Sequence, residues 1–232
     1  MKYDLVGIGN ALVDIEVRVD DEFIKQNSLA KGGMTLSNEE EQKKILKELG
    51  GHAIKISSGG SAANTVHGVS VLGGRTYYLG RVANDLYGRH YKEDMQACGV
   101  GFSGTGNGSS TTGTCVVLVS PDSERTMLTH LGVSSLLQPD NIDKTIIKDA
   151  GMVYIEGYLW TGEKTRNAAL KLAAIAQQNK LPVAFTLSDT FVVNSFKNQL
   201  IDFILGHVDI LFCNDVEAMA MAETSDIQEA FE

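Results

Sequence analysis

The chain has 232 residues, 43% hydrophobic and 21% charged, enough for one large domain or two small ones around a sizeable core. Its 20 Lys and Arg against 29 Asp and Glu give a net charge of −9, which speaks against a broad nucleic-acid footprint or an anionic membrane surface and leaves a small molecule or a protein as the partner. Cys98, Cys115 and Cys213 lie far apart without a CxxC pair, excluding a zinc knuckle or disulfide framework. With reduced thiols, no export signal and no apolar run near the roughly 20 residues of a membrane helix, a cytoplasmic protein is expected.

In chain order, YDLVGIG (3–9) is a short apolar run closed by glycine and reads as a buried strand. Residues 14–37, DIEVRVDDEFIKQNSLAKGGMTLS, alternate in polarity and predict strands away from the main core. Asn38 with Glu41 makes a capping-box start for a helix that stops at Gly50 and Gly51. SSGGSAANTVHGV (57–69) then turns on two glycines into a helix over 61–72. The rest alternates: strand 76–80, helix 85–98, strand 152–157, helix 163–179, strand 182–187, helix 194–205, strand 208–214 and a helix from Asp215. Apolar strands between amphipathic helices predict an α/β doubly wound, mainly parallel sheet.

One segment breaks the rhythm: GFSGTGNGSSTTG (101–113) is flexible by composition and leads into TCVVLVS, the turn PDSE and RTMLTHL, a hairpin. The expected division is an α/β core of residues 1–14, 38–100 and 134–232, with a small antiparallel β lid of residues 15–37 and 101–133. ETSDIQEAFE (223–232) starts a helix that has no terminal signal, which reads as a domain cut in mid-element.

Gly7 and Gly9 after a strand suggest a dinucleotide fingerprint, but Leu12 holds the third glycine position and no helix opens there, so a nicotinamide-dependent oxidoreductase is discounted. No GxxxxGK[ST] loop or HExxH pattern occurs. What remains are polar residues at the carboxyl ends of strands, where open α/β sheets bind ligands: Asn10 and Asp14, Asn64, and Asn214 with Glu217. A carboxylate beside amides suits a polyhydroxyl ligand. Each also has a local reading: Asp14 as a solvated strand residue, Asn64 as a cap on its own helix, Asn214 and Glu217 as a capping box, Arg125 as an exposed turn residue, Tyr158 and Trp160 as core or rim aromatics.

Taken together, GNALVDI (9–15), GGSAANT (59–65), GRVANDLYG (80–88), TGTCVV (112–117) and LFCNDVEA (211–218) resemble, in order and along nearly the whole chain, the ribokinase (PfkB-type) carbohydrate kinase family and its adenosine-kinase-like branch. The resemblance implies transfer of the γ-phosphoryl group of ATP to a primary hydroxyl of a sugar or nucleoside. It implies that Asp14 and Asn64 hold a ribose-type diol and that Gly59, Gly60 and Ser61 lie against the sugar. Asn10, Leu12 and Leu36 would line the same pocket, and Arg125 on the lid would reach the transferring phosphate. Asn214 and Glu217 would position Mg²⁺ through water, and Leu159, between Tyr158 and Trp160, would fall where the family stacks an aromatic on adenine.

Adenosine is therefore the leading substrate, with fructose, ribose and other nucleosides, or a non-catalytic sugar or nucleoside binder, as alternatives. The family's catalytic base, an aspartate in a GAGD motif, has no counterpart in these residues, so a fragment lacking most of the ATP site is expected. The exposed edges of the lid strands offer a route to a homodimer.

Overall fold

The computed structural model describes residues 1–50, 55–104, 106 and 110–231. In chain order they form β1 (Leu5–Ile8), β2 (Leu12–Arg18), α1 (Asp21–Gln26), β3 (Met34–Leu36), α2 (Glu39–Glu48), β4 (Lys55–Gly59), α3 (Ser61–Val71), β5 (Thr76–Leu79), α4 (Leu86–Ala97) and β6 (Val100–Phe102). There follow β7 (Gly113–Val119), β8 (Arg125–His130), α5 (Lys144–Lys148), β9 (Val153–Glu156), α6 (Glu163–Gln178), β10 (Val183–Thr186), α7 (Thr190–His207), β11 (Ile210–Phe212), α8 (Asp215–Ala222) and α9 (Ile227–Ala230).

Six strands form one sheet in the order β11-β10-β9-β1-β5-β6, every pair parallel, with helices on both faces. This is the expected doubly wound α/β core. Adjacent side chains along a strand point to opposite layers, so the near-continuous apolar runs line both faces. Val6, Ile8, Tyr77 and Leu79 pack with α6 and α7, where Trp160 meets Phe185 and Phe203 edge-on at 5.2 and 4.7 Å. Leu5 and Tyr78 pack with Ala62, Val66, Tyr91 and Met95 on the other side, beneath α3 and α4. A side chain at Gly7 would collide with Val66, so the first glycine of the discounted fingerprint serves the packing of α3 on β1.

The second sheet is mixed, in the order β3-β8-β7-β2-β4. The β7–β8 hairpin pairs antiparallel as predicted, while β2 and β7 run parallel. Its outer face buries Ile15, Val17, Val116, Leu118 and Leu128 with Ile45 of α2. Gln42 of α2 fastens this cover, donating to the carbonyls of Thr114 and Leu128 and accepting from the Thr114 hydroxyl.

Several expectations are corrected. Residues 14–37 are not strands throughout: Asp20 caps Phe23, with Asp21 and Glu22 in the first turn, and the local cap wins over the alternating pattern to make α1. Residues 55–59, which open on the glycine turn, are the edge strand β4, antiparallel to β2, so the second sheet also draws on stretches 12–14 and 55–59 of the expected core. Val100–Phe102, at the head of the glycine-rich segment, is β6 of the large sheet, paired with β5, while residues 105 and 107–109 of that segment and Gly51 of the helix stop lie outside the described residues. The helix read as 194–205 begins at Thr190, capped by Asp189, and a break at Phe196 (φ −130°) disturbs the 3.6-residue pattern that hid its first turn.

Candidate functional site

Between the two sheets lies a cleft of about 750 Å³, mouth included. The inner face of the second sheet roofs it. Alternation puts Leu12 and Asp14 of β2, Met34 and Leu36 of β3, and Arg125, Met127 and Thr129 of β8 on one side, and the register aligns Asp14, Cys115, Thr129 and Leu36 in a single row. The floor comes from carboxyl ends of the parallel strands: Asn10 after β1, Glu156 at the end of β9 with Tyr158 and Thr161 beyond it, and Gly60, Ser61 and Asn64 at the start of α3. Leu131, just past β8, completes the lining.

Asp14 is the carboxylate on the roof, 20% exposed at its side chain, and burial pushes its carboxyl up to about 6 against the pull of Arg125. The Arg125 guanidinium stands 4.0 Å from it and is 56% exposed, a cation at the rim. Asn64 does not cap its own helix: the N-cap is Gly60, with φ +105° and no side-chain cap. It sits one turn along from Ser61, on the same face toward Asp14.

The two glycines have a different reason from the one the sequence suggests. A side chain at Gly59 would occupy the place of the Asp14 carboxylate, and one at Gly60 would strike the Asn10 carbonyl. Small residues here let other parts of the site close in, and Gly59 itself does not line the cleft while Gly60 does.

Asn10, 4% exposed, is largely committed to the protein, its amide nitrogen donating to Glu156 and its amide oxygen accepting from the Ser134 hydroxyl. Leu159 departs from its expected role. It is fully buried in the α6–α7 core cluster, because the turn after β9 points it inward. The aromatic that faces the cleft is its neighbour Tyr158, whose hydroxyl donates to Asp189. Asn214 and Glu217 form the capping box of α8, outside the cleft lining.

Glu156 went unnoticed in the sequence, although a carboxylate closing an otherwise apolar strand at its carboxyl end was a usable signal. It is 1% exposed, accepts from the backbone N–H groups of Asn10 (2.6 Å) and Ala62 (2.8 Å) and from the Asn10 side chain, and burial pushes it up to about 7 against those hydrogen bonds. Met34, Met127 and Leu131 were also missed, since only the roof's register brings them together.

As a metal holder, Glu217 has each carboxylate oxygen accepting one hydrogen bond from Asn214 and keeps lone pairs free, which fits a water-mediated contact rather than a cage. Among the described residues no three His, Cys, Asp or Glu side chains cluster as metal ligands, and no helix is long and apolar enough to cross a membrane.

Guanosine-inosine kinase of Escherichia coli K12 is 29% identical over 238 residues, a match covering 96% of this chain and 53% of that one. Adenosine kinase 2 of Arabidopsis thaliana is 27% identical over 237 residues, covering 97% of this chain and 68% of the plant protein. The crystal structure of adenosine kinase from Sinorhizobium meliloti superposes with a TM-score of 0.95 at 38% identity, over 100% of this chain and 71% of that chain. The chain thus spans about half the length of the bacterial guanosine-inosine kinase. Residues 37–232, well over half of the chain, match the pfkB family carbohydrate kinases, and the chain belongs to this family.

Proposed function

We propose that the protein is an ATP-dependent kinase that transfers the γ-phosphoryl group to a primary hydroxyl of a nucleoside, with adenosine the leading substrate. The observation that carries this reading is the division of the cleft. Asp14, Ser61 and Asn64 gather polar groups at one place, while Leu12, Met34, Leu36, Met127, Leu131 and Tyr158 supply an apolar wall. A nucleoside has the same two halves, a hydroxylated sugar and a flat base, whereas a plain sugar would leave the apolar wall unused. The nucleoside kinases among the relatives support the same choice.

On this reading the ionised Asp14 accepts from two adjacent hydroxyls and Asn64 donates to or accepts from one of them. Tyr158 lies against the base. Arg125, exposed and only loosely paired, swings from Asp14 toward the phosphate as charge moves there. ATP with Mg²⁺ supplies the phosphoryl group and the charge neutralisation, and Asn214 and Glu217 would hold the hydrated cation near the nucleotide. Two copies pairing through the open edges β3 and β4 belong to the same reading and are checked by sedimentation.

The test is phosphoryl transfer from ATP with Mg²⁺ by the protein as its source makes it, with adenosine, guanosine, ribose and fructose offered in parallel. Transfer to a nucleoside is the expected result, and transfer to ribose or fructose alone would replace it with the sugar-kinase reading. Binding without transfer to any of the four would leave a non-catalytic binder. Tyr158→Ala separates the first two independently: it should weaken nucleoside binding by about 1–3 kcal/mol while leaving ribose nearly unchanged.

A further inference from the structure

We infer that Glu156 is the positioning residue of the cleft, a single buried carboxylate that locks three separate elements into the binding geometry. Its Oε1 accepts from the Asn10 backbone N–H at 2.6 Å and from Asn10 Nδ2 at 3.1 Å, which sets the end of β1. Its Oε2 accepts from the Ala62 N–H at 2.8 Å, which sets the first turn of α3. Glu156 itself ends β9, one residue before the turn that carries Tyr158. The diol-facing residues Ser61 and Asn64, the Asn10 floor and the aromatic wall are thereby referred to one group.

The neighbouring chain is built to admit this carboxylate. A side chain at Gly9 would overlap both Glu156 oxygens, so the second glycine of GIGN is absent bulk for Glu156. Ser134, from the turn after β8, shares its one hydroxyl proton between the Leu131 carbonyl at 2.6 Å and the Asn10 amide oxygen at 3.2 Å, extending the lock toward the roof. All three of Glu156's bonds come from donors, and each is stronger to the ionised carboxylate; a proton on the free position of Oε2 leaves the three acceptances in place but weakens them.

Among the described residues, the titratable groups facing Glu156 are phenols: Tyr78 on β5 and Tyr91 on α4, both fully buried, and Tyr158. None supplies positive charge. Burial pushes Glu156 up to about 7, so the lock tightens as pH rises through neutrality. With the lock tighter in the ionised form, nucleoside affinity should fall from pH 8 to pH 6, by up to about tenfold on this account alone. Asp14, pushed up to about 6, adds a second and smaller loss at the acid end.

The affinity arm of the test rests on the nucleoside-kinase reading, and a second arm does not. With the native full-length protein, Glu156→Gln should raise KM for adenosine at least tenfold while lowering kcat by less, because the Gln amide puts a donor against a donor. Its affinity should also lose the step near pH 7, keeping only the roughly twofold response of Asp14 at pH 6. Wild-type KM, or an unchanged step near pH 7 in that variant, would overturn the proposal.

Should Glu156→Gln not fold, Gly9→Ala pushes the carboxylate aside without removing it and should produce the same rise in KM. Wild-type affinity in Gly9→Ala would overturn the proposal equally. Independently of any substrate, the Asn10 and Ala62 backbone amides in ¹⁵N spectra should titrate together near neutral pH. Absence of that shared titration sinks the lock even if the protein phosphorylates adenosine. Its presence in a protein that takes no nucleoside sustains the lock while the kinase reading falls.

Discussion

On the proposed reading, Asp14 sets binding against folding. Its carboxyl is raised from 3.8 to about 6, chiefly by burial under the roof sheet. A folded-state value above the unfolded one means that its contribution is fully present below about pH 4 and is lost as pH rises through 6, a difference of about 2–3 kcal/mol. Asp14→Asn removes that penalty with little change of shape. Thermal melts at pH 7 should find Asp14→Asn more stable than wild type by up to about 2 kcal/mol, the two converging near pH 4, while calorimetry finds nucleoside affinity reduced at least about a hundredfold. A less stable variant would mean that Arg125, 4.0 Å away, pairs with Asp14 more strongly than its exposure suggests.

At the scale of elements, the start of α3 and the joint between the two sheets carry the site. Gly60 combines φ +105° with contact against the Asn10 carbonyl, so Gly60→Ala meets both backbone strain and collision. Urea denaturation should show a loss of about 2–4 kcal/mol, well above the roughly 1 kcal/mol of an ordinary helix-terminus substitution. The joint is Asp85, which caps α4 through Gly88 N–H at 2.7 Å and also accepts from the Thr112 N–H and hydroxyl at 2.8 and 2.6 Å. Thr112 immediately precedes β7 and accepts from Ala83 N–H, so one carboxylate ties roof to core. Asp85→Ala should cost about 2–3 kcal/mol, the cap and the two Thr112 bonds together.

At the scale of the whole molecule, the core sheet is covered on both faces except at its exposed edge strand β11, whereas the roof sheet is covered by α1 and α2 on its outside and faces the cleft on its inside. Stability therefore differs between the two layers. In hydrogen exchange, β1, β9 and β10 should be protected from the outset. Adenosine should slow exchange chiefly in β3, β8 and the first turn of α3. Equal slowing across both sheets would indicate that ligand stabilises the whole chain rather than closing the roof.

The sequence alone determined the parallel α/β core, the β7–β8 hairpin, the capping boxes at Asn38 and Asn214 and the resemblance that led to Asp14, Asn64 and Arg125. These are written in short-range terms: apolar runs, turn residues, cap spacing and contiguous motifs. What decided the rest was tertiary. Whether Leu159 or Tyr158 faces the cleft depends on how the turn after β9 leaves the sheet, which no spacing encodes. The roof's apolar wall exists only because the register sets Met34 beside Met127 and Leu36 beside Thr129, residues some 90 positions apart. The reason for Gly9 and Gly59 lay in carboxylates 147 and 45 residues away in the chain, since only the folded backbone brings Glu156 and Asp14 into the volume those glycines leave open.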